Sequence, residues 1–299
     1  MVSLAPGIDP QRSVADFVIQ SPALSRVFEQ FGIDYCCGGK QSLADACRQA
    51  GAAFDVVARS LASCLESGGT GSASSGASAT PSLAELATHI VDRHHVYLRR
   101  ELPRLGQLID KVVSAHGAKH PELSQVSMLF RSLEAELMNH MLKEERVLFP
   151  IVKTLEEAAA ASRPVPAFHC GSIENPIAVM EDEHQHAGAA LARMRELTAV
   201  YSPPEDACPT YIAMLSGLAE LEADLHTHIH LENNILFPRA AALEEASLLI
   251  ALRGVTSVAW MAAAFLGALS RLAKSSSAGI SCVRFGAPLA NGTPSFNAA

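Results

Sequence analysis

The sequence predicts an all-α protein: a four-helix bundle built from a duplicated helical hairpin and preceded by a small helical unit. Three observations carry this. Ala and Leu dominate a composition that is 49% hydrophobic and only 5% aromatic, which favours helices over strands. Prolines and their neighbouring caps divide residues 82–245 into four long segments, as helix boundaries require. A fifteen-residue pattern then recurs within that block, 88 residues on. At 299 residues the chain has room for one large domain or two ordinary ones.

Residues 1–65 read as a small helical domain. Ser21 as N-cap, with Pro22 at the first helical position, opens a helix over Ala23–Phe31. Ser42 caps Leu43–Ala50, Asp45 stands three residues on as a weak capping box, and Gly51 stops the helix. Between them lies the turn-rich loop Gly32-Ile33-Asp34-Tyr35-Cys36-Cys37-Gly38-Gly39-Lys40. Residues 66–81, rich in Gly, Ser and Ala, read as a flexible linker.

Pro81-Ser82 opens the first long helix, to about Ala115. Pro121 opens the second, to Pro150 or slightly beyond. Asn175-Pro176 opens the third, to about Tyr201, and Pro203-Pro204 precedes the fourth, to about Glu245. In residues 246–299, the segment 254–270 has 17 uncharged residues between Arg253 and Arg271. It touches the lower limit for a membrane span, but its Ser, Thr and Gly content points to an extra helix packed on the bundle instead. Membrane contact there is the less favoured outcome, and residues 275–299 read as disordered.

The repeat carries the chemistry. Glu136-x-x-x-His140-x-x-x-Glu144-x-x-x-Leu148-Phe149-Pro150 matches Asp224-x-x-x-His228-x-x-x-Glu232-x-x-x-Leu236-Phe237-Pro238, which indicates a duplicated hairpin. Residues four apart share one helix face, and the stripe continues through Leu133 and Leu137, or through Leu218, Leu221 and Leu225. The His and Glu therefore point inward, where they are costly unless paired or bound to metal. The opposite helices supply His95 and His184, offset by 89, a mismatch expected from a one-residue loop difference. The spacings His95–His140 (45) and His184–His228 (44) suit one helix, a turn and a return to the same level.

Six donors thus converge: His95, His140, Glu144, His184, His228 and Glu232. Zinc favours four ligands in a tetrahedron. Six donors with two carboxylates suit two iron ions, with Glu144 and Glu232 able to bridge, and with positions left for water, an oxo bridge, O2 or NO. The expected cofactor is a non-haem di-iron centre with oxo and carboxylate bridges. Glu136 and Asp224, one turn before the ligand histidines, are candidates to accept the second imidazole N–H; exposure on the helix edge is the competing reading. Glu183, beside His184, points off the ligand face and is a candidate on the same footing. Of the other histidines, His94, His186, His226 and His230 lie off the stripe, and His89, His116, His120 and His169 read as solvated.

The formal net charge is -8, and no acidic residue follows Glu245 while four basic ones do, so the excess acid lies in the segment up to Glu245. That argues against a nucleic-acid binder, which needs a basic face. The 7 Cys are odd in number and irregularly spaced, so no disulfide framework is implied and a reducing compartment fits. No signal-peptide pattern opens the chain, and the expected location is the cytoplasm.

Asp34-Tyr35-Cys36-Cys37-Gly38-Gly39-Lys40, His140-x-x-x-Glu144-Glu-x-x-Leu-Phe-Pro, Val179-Met180-Glu181-x-Glu183-His184 and His228-x-x-x-Glu232-Asn233-Asn234-x-Leu-Phe-Pro-Arg239-Ala240 resemble motifs of the RIC family, the iron–sulfur cluster repair di-iron proteins. The resemblance covers about residues 10–242. It implies a hemerythrin-like four-helix bundle over residues 82–245 and a small N-terminal domain bearing the vicinal cysteines. It also implies the same six ligands and a role in restoring iron–sulfur clusters damaged by nitrosative or oxidative stress. The sequence departs from the usual pattern in its long linker, its tail, and His94 where Tyr is common. Cys36 and Cys37 become candidates for a thiol or iron-transfer site, because adjacent cysteines form only a strained disulfide and thiolates can pass on iron. The implied partners are damaged iron–sulfur proteins or assembly scaffolds, with NO or O2 as small ligands; a homodimer is compatible. Two alternatives stand beside iron supply: a hemerythrin-like module that binds or senses O2 or NO, and an NO-reducing di-iron enzyme.

Overall fold

A computed structural model describes residues 8–68 and 81–249. Most of the expected linker, the uncharged segment 254–270 and the expected disordered tail lie outside the described residues. Those described form helices and turns, with no β-strand among them and no helix long and apolar enough to cross a membrane.

The N-terminal part has four α-helices. Helix α1, Val14–Gln20, is capped by Ser13, whose hydroxyl accepts the Asp16 N–H. A 3-10 turn, Pro22–Leu24, leads into α2, Ser25–Gln30. The expected Ser21 cap is not made: Ser21 has no side-chain cap bond, and Pro22 sits in the tighter turn. Helix α3, Leu43–Gln49, starts as expected, with the Ser42 hydroxyl accepting the Asp45 N–H at 3.2 Å. Helix α4, Phe54–Gly68, continues past residue 65. Phe17, Phe28, Tyr35, Leu43 and Leu61 pack as one apolar core, which takes in Ile229 from the large bundle.

Three of the four long helices contain a π-helical turn. The first is α5, Leu83–Ile90, the π-turn Val91–His95, and α6, Val96–His116. The second is α7, Glu122–Lys143, the π-turn Glu144–Leu148, and α8, Phe149–Ala160. The third is α9, Glu174–Leu197, without interruption. The fourth is α10, Pro209–Leu231, the π-turn Glu232–Leu236, and a segment over 237–249. Helix α6 packs on α7 and α10, and α9 packs on the same two, closing a four-sided bundle.

The duplication extends to the helix starts. Ser82 and Glu85 form a capping box, and Glu156 accepts the N–H groups of Leu83 and Ala84 at 2.7 and 2.9 Å. Its mate 88 residues on, Glu244, accepts from the Ser172 hydroxyl and the Ile173 N–H. The two hairpin spacings, however, do not differ by one loop residue as expected. Past His95 the helix runs on through Val96–His116 before the short loop 117–121; past His184 it runs on only to Leu197 before the longer loop 198–208. Helix and loop lengths nearly compensate. Two apolar layers fill the bundle. One contains Leu98, Leu102, Phe130, Leu133, Leu191 and Leu221; the other contains Leu86, Ile90, Leu148, Phe149, Leu236 and Phe237.

Candidate metal centre

The six donors meet between those two layers. His95 ends the first π-turn, while Glu144 and Glu232 begin the other two. His140 and His228 sit one α-turn earlier, and His184 projects from regular helix. All six are 0–3% exposed. π-turns recur at functional sites because one widened turn re-aims side chains without ending the helix.

Each glutamate addresses two histidines. The Glu144 oxygens lie 3.2 Å from His95 Nε2 and 3.2 Å from His140 Nε2. The Glu232 oxygens lie 3.1 Å from His184 Nε2 and 3.1 Å from His228 Nε2. Two overlapping sets result, His95–Glu144–His228–Glu232 and His140–Glu144–His184–Glu232, each with its donor atoms within 4.8 Å of one another. Both carboxylates belong to both sets. His95 Nε2, His228 Nε2 and all four carboxylate oxygens are buried without a hydrogen-bond partner. An unpartnered buried carboxylate is expensive, and only a cation answers several such donors at once. The residues present therefore fit a metal centre.

Three of the four imidazoles are fixed through their other nitrogen. His95 Nδ1 donates to Glu145 at 2.7 Å, and Glu145 also accepts from Arg99. His140 Nδ1 donates to Glu183 at 2.9 Å, and Lys143 pairs with the same carboxylate. His184 Nδ1 donates to the Asn233 amide oxygen at 2.8 Å. His228 Nδ1 has no partner; its ring stacks on His94, centroids 5.4 Å apart at 9°. The Phe of each Leu-Phe-Pro motif stacks on a donor ring, Phe149 on His95 and Phe237 on His184. Without metal, burial pushes His140 down, but Glu144, Glu232 and Glu183 outweigh it and raise its pKa to about 9. Burial lowers His228. Burial also opposes the charged form of Glu232, yet His228 and His184 hold it well below the usual carboxylate range.

The orienting partners differ from those expected. Glu136 is exposed and accepts the Ser132 hydroxyl at 2.8 Å; the exposed helix-edge reading describes it, and it does not hold His140. Asp224 accepts from His94 at 3.1 Å, not from His228. Glu183, expected to point off the ligand face, is the residue on His140. Glu145 and Asn233 were missed, although they are 88 residues apart like the glutamates they follow. His94 and His230, which lie off the stripe, are each 3% exposed. His116 and His120, expected in solvent, are half-buried, and they contact Cys208 and Asp206.

The vicinal cysteines lie against this centre. Both are free thiols, with sulfurs 3.7 Å apart. The Asp34 carboxylate accepts the N–H groups of Cys36, Cys37 and Gly38 at 2.9 Å each. Asp34, Cys36 and Cys37 group their donor atoms within 4.8 Å. Cys37 Sγ lies 3.7 Å from the His184 carbonyl oxygen, and both cysteines line a cavity of about 480 Å³. The Cys36 thiol is pushed well up by its contact with Cys37, by burial and by the Asp34 charge, so it stays protonated. Asn234 donates to the Cys36 carbonyl at 3.0 Å, and Asn233 donates to it at 3.4 Å. Asn233 therefore touches both the thiol loop and His184.

Comparison with known proteins agrees with this geometry. Residues 86–240 match the hemerythrin HHE cation binding domain, and residues 10–64 match ScdA_N, a domain of unknown function. The chain is 36% identical over 231 residues to the iron-sulfur cluster repair protein YtfE of Salmonella paratyphi B, Salmonella newport and Salmonella dublin. The match covers 77% of this chain and 97% of each relative.

Proposed function

The chain belongs to the family of iron–sulfur cluster repair proteins with a hemerythrin HHE domain, and from that premise we propose that it repairs clusters damaged by nitrosative or oxidative stress by supplying iron. The observation that carries this reading is the pair of donor sets sharing Glu144 and Glu232, with orphaned oxygens and nitrogens at the shared centre. His95 and His228 would hold one iron ion, His140 and His184 the other, and Glu144 and Glu232 are placed to serve both. When bound, the pair provides exchangeable iron and open positions for NO or O2. Glu145, Glu183 and Asn233 orient the ligand imidazoles, which fixes their tautomers and raises their basicity. Asp224 pairs with His94 and holds no ligand imidazole.

In this reading residues 1–65 present Cys36 and Cys37 as the thiol or iron-transfer site, and 66–81 link them to the bundle over 82–245. Cys37 is the more exposed thiol and contacts the His184 backbone, so it is the sulfur placed to receive iron first. Damaged iron–sulfur proteins or assembly scaffolds in the cytoplasm are the recipients. The test is metal analysis and iron spectroscopy on anaerobically purified protein, before and after NO, followed by reactivation of a damaged cluster enzyme. Two irons per chain, falling as the recipient regains activity, is the expected result. One tightly bound zinc, or reactivation with no loss of iron, overturns it. Cys36→Ser with Cys37→Ser in the full chain should retain the iron and lose the reactivation.

A further inference from the structure

We infer, on the reading of the six-residue cluster as a metal centre, that His89 and His94 form the port through which metal ions enter and leave it, with His94 as a transient ligand. A cavity of about 870 Å³ opens between the N-terminal helices and the bundle, and His89, His94, Asp224 and His230 line it. The imidazoles form a row from solvent to the centre. His89 is exposed, its ring centroid is 6.0 Å from that of His94, and His94 lies 5.4 Å from His228 in parallel stacking. Asp224 fixes His94 through Nδ1 at 3.1 Å.

Two buried donors in the cavity wall have no partner, His230 Nε2 and Asp224 Oδ2. A path for a diatomic gas needs only apolar walls. Nitrogen and carboxylate donors at successive steps suit a cation, which must exchange one ligand for the next as it sheds water. Arg26, Arg93 and Arg100 also line the cavity, but Glu29, Glu220 and Asp224 match them in number, so a cation meets no net repulsion.

The two halves of the repeat differ at this point. The residue before His184 is Glu183, tied to His140 and Lys143. The residue before His95 is His94, which faces the cavity instead. His228, on the port side, is also the one imidazole of the four whose Nδ1 has no partner, so it is the donor freest to turn toward an arriving ion.

The test follows iron(II) uptake by the metal-free full chain, and its removal by a chelator, under anaerobic conditions. His94→Phe keeps an aromatic ring against His228 and removes the donor nitrogens. It should slow uptake and removal severalfold, with the final iron content unchanged. His89→Gln alters only an exposed side chain, so folding is not at stake, and it should slow both rates severalfold. Wild-type rates in His89→Gln, or in a folded His94→Phe, overturn the port and leave the metal centre standing. A lower final iron content at wild-type rates also overturns it, because His94 would then be a resident ligand. Failure of the wild-type chain itself to take up iron overturns the metal reading on which the port rests.

Discussion

Asn233 is the residue through which the thiol loop and the metal centre constrain each other. Its amide oxygen accepts from His184 Nδ1, and its amide nitrogen donates to the Cys36 carbonyl. Asn233→Ala should lower metal affinity by roughly 10–100-fold and speed alkylation of Cys37. Asn233→Asp keeps the acceptor, so it should restore most of the affinity while the loop stays loosened; metal titration and thiol labelling separate the two. His140 gives a pH dependence of known sign. Metal binding needs the neutral imidazole, and the metal-free pKa is raised to about 9. Apparent metal affinity should therefore climb as pH rises toward about 9, with a proton released per binding event, and flatten above it. Stability of the metal-free protein runs the other way. A raised folded-state pKa contributes stability that is complete below the ordinary value near 6.5 and is lost as pH rises through about 9. Metal titrations and denaturation curves across that range check both slopes. The convergence of the six buried donor side chains was legible in the sequence because two hairpins repeat them at nearly one spacing. Glu145 and Asn233 were not, because a stripe rule built on 3.6 residues per turn turns the next side chain away. The π-turns over Glu144–Leu148 and Glu232–Leu236 widen that turn, and consecutive residues then address the same neighbouring helix.

Elements show the same division between what pattern carries and what context decides. Proline breaks marked the division into four long helices, but the second runs through Pro150 to Ala160: Leu148-Phe149-Pro150 and Leu236-Phe237-Pro238 combine a core leucine, a ring stacked on a donor histidine and a helix-compatible proline. The end of α9 was misjudged, because the expected boundary near Tyr201 follows the prolines and the chain leaves the helix earlier, after Leu197. Ala199, Val200 and Tyr201 take positive φ angles of 48°, 59° and 56°, and the Thr198 hydroxyl accepts the Tyr201 N–H. A left-handed residue other than glycine costs about 1–2 kcal/mol, and a β-branched one is the least suited to it. Val200 is 60% exposed, so its side chain contributes little packing in return. Val200→Gly should raise stability by about 1 kcal/mol, after allowing for the extra chain entropy of glycine. A denaturant midpoint shifted upward with unchanged slope is the expected observation; an unchanged or lower midpoint would show that Val200 packing outweighs the strain.

At the scale of the whole molecule, the N-terminal unit is seated on the bundle by backbone atoms as much as by side chains, which is why no sequence pattern announced the contact. The Tyr35 and Cys36 carbonyls accept from Asn234, Lys40 pairs with Glu181, and Tyr35 packs edge-on against His226 and His230. Gly39 sets how closely the loop sits. A Cβ there would meet the Tyr35 carbonyl oxygen at 2.5 Å, the Ala15 Cβ at 2.9 Å and the Asn234 amide oxygen at 3.1 Å. The first two cannot yield without moving the loop or α1, so Gly39→Ala must shift the thiol loop against Asn234 and the π-turn Glu232–Leu236. The bundle core does not depend on that contact, since its two apolar layers and six donors lie within the four long helices. Gly39→Ala should therefore keep its iron content and bundle helicity while Cys36 and Cys37 become faster to alkylate. Reactivation of a damaged cluster protein should fall severalfold even though the iron is present. If iron content falls in parallel with reactivation, the docked loop is part of what retains the metal, and transfer through the thiols is no longer needed to explain the loss.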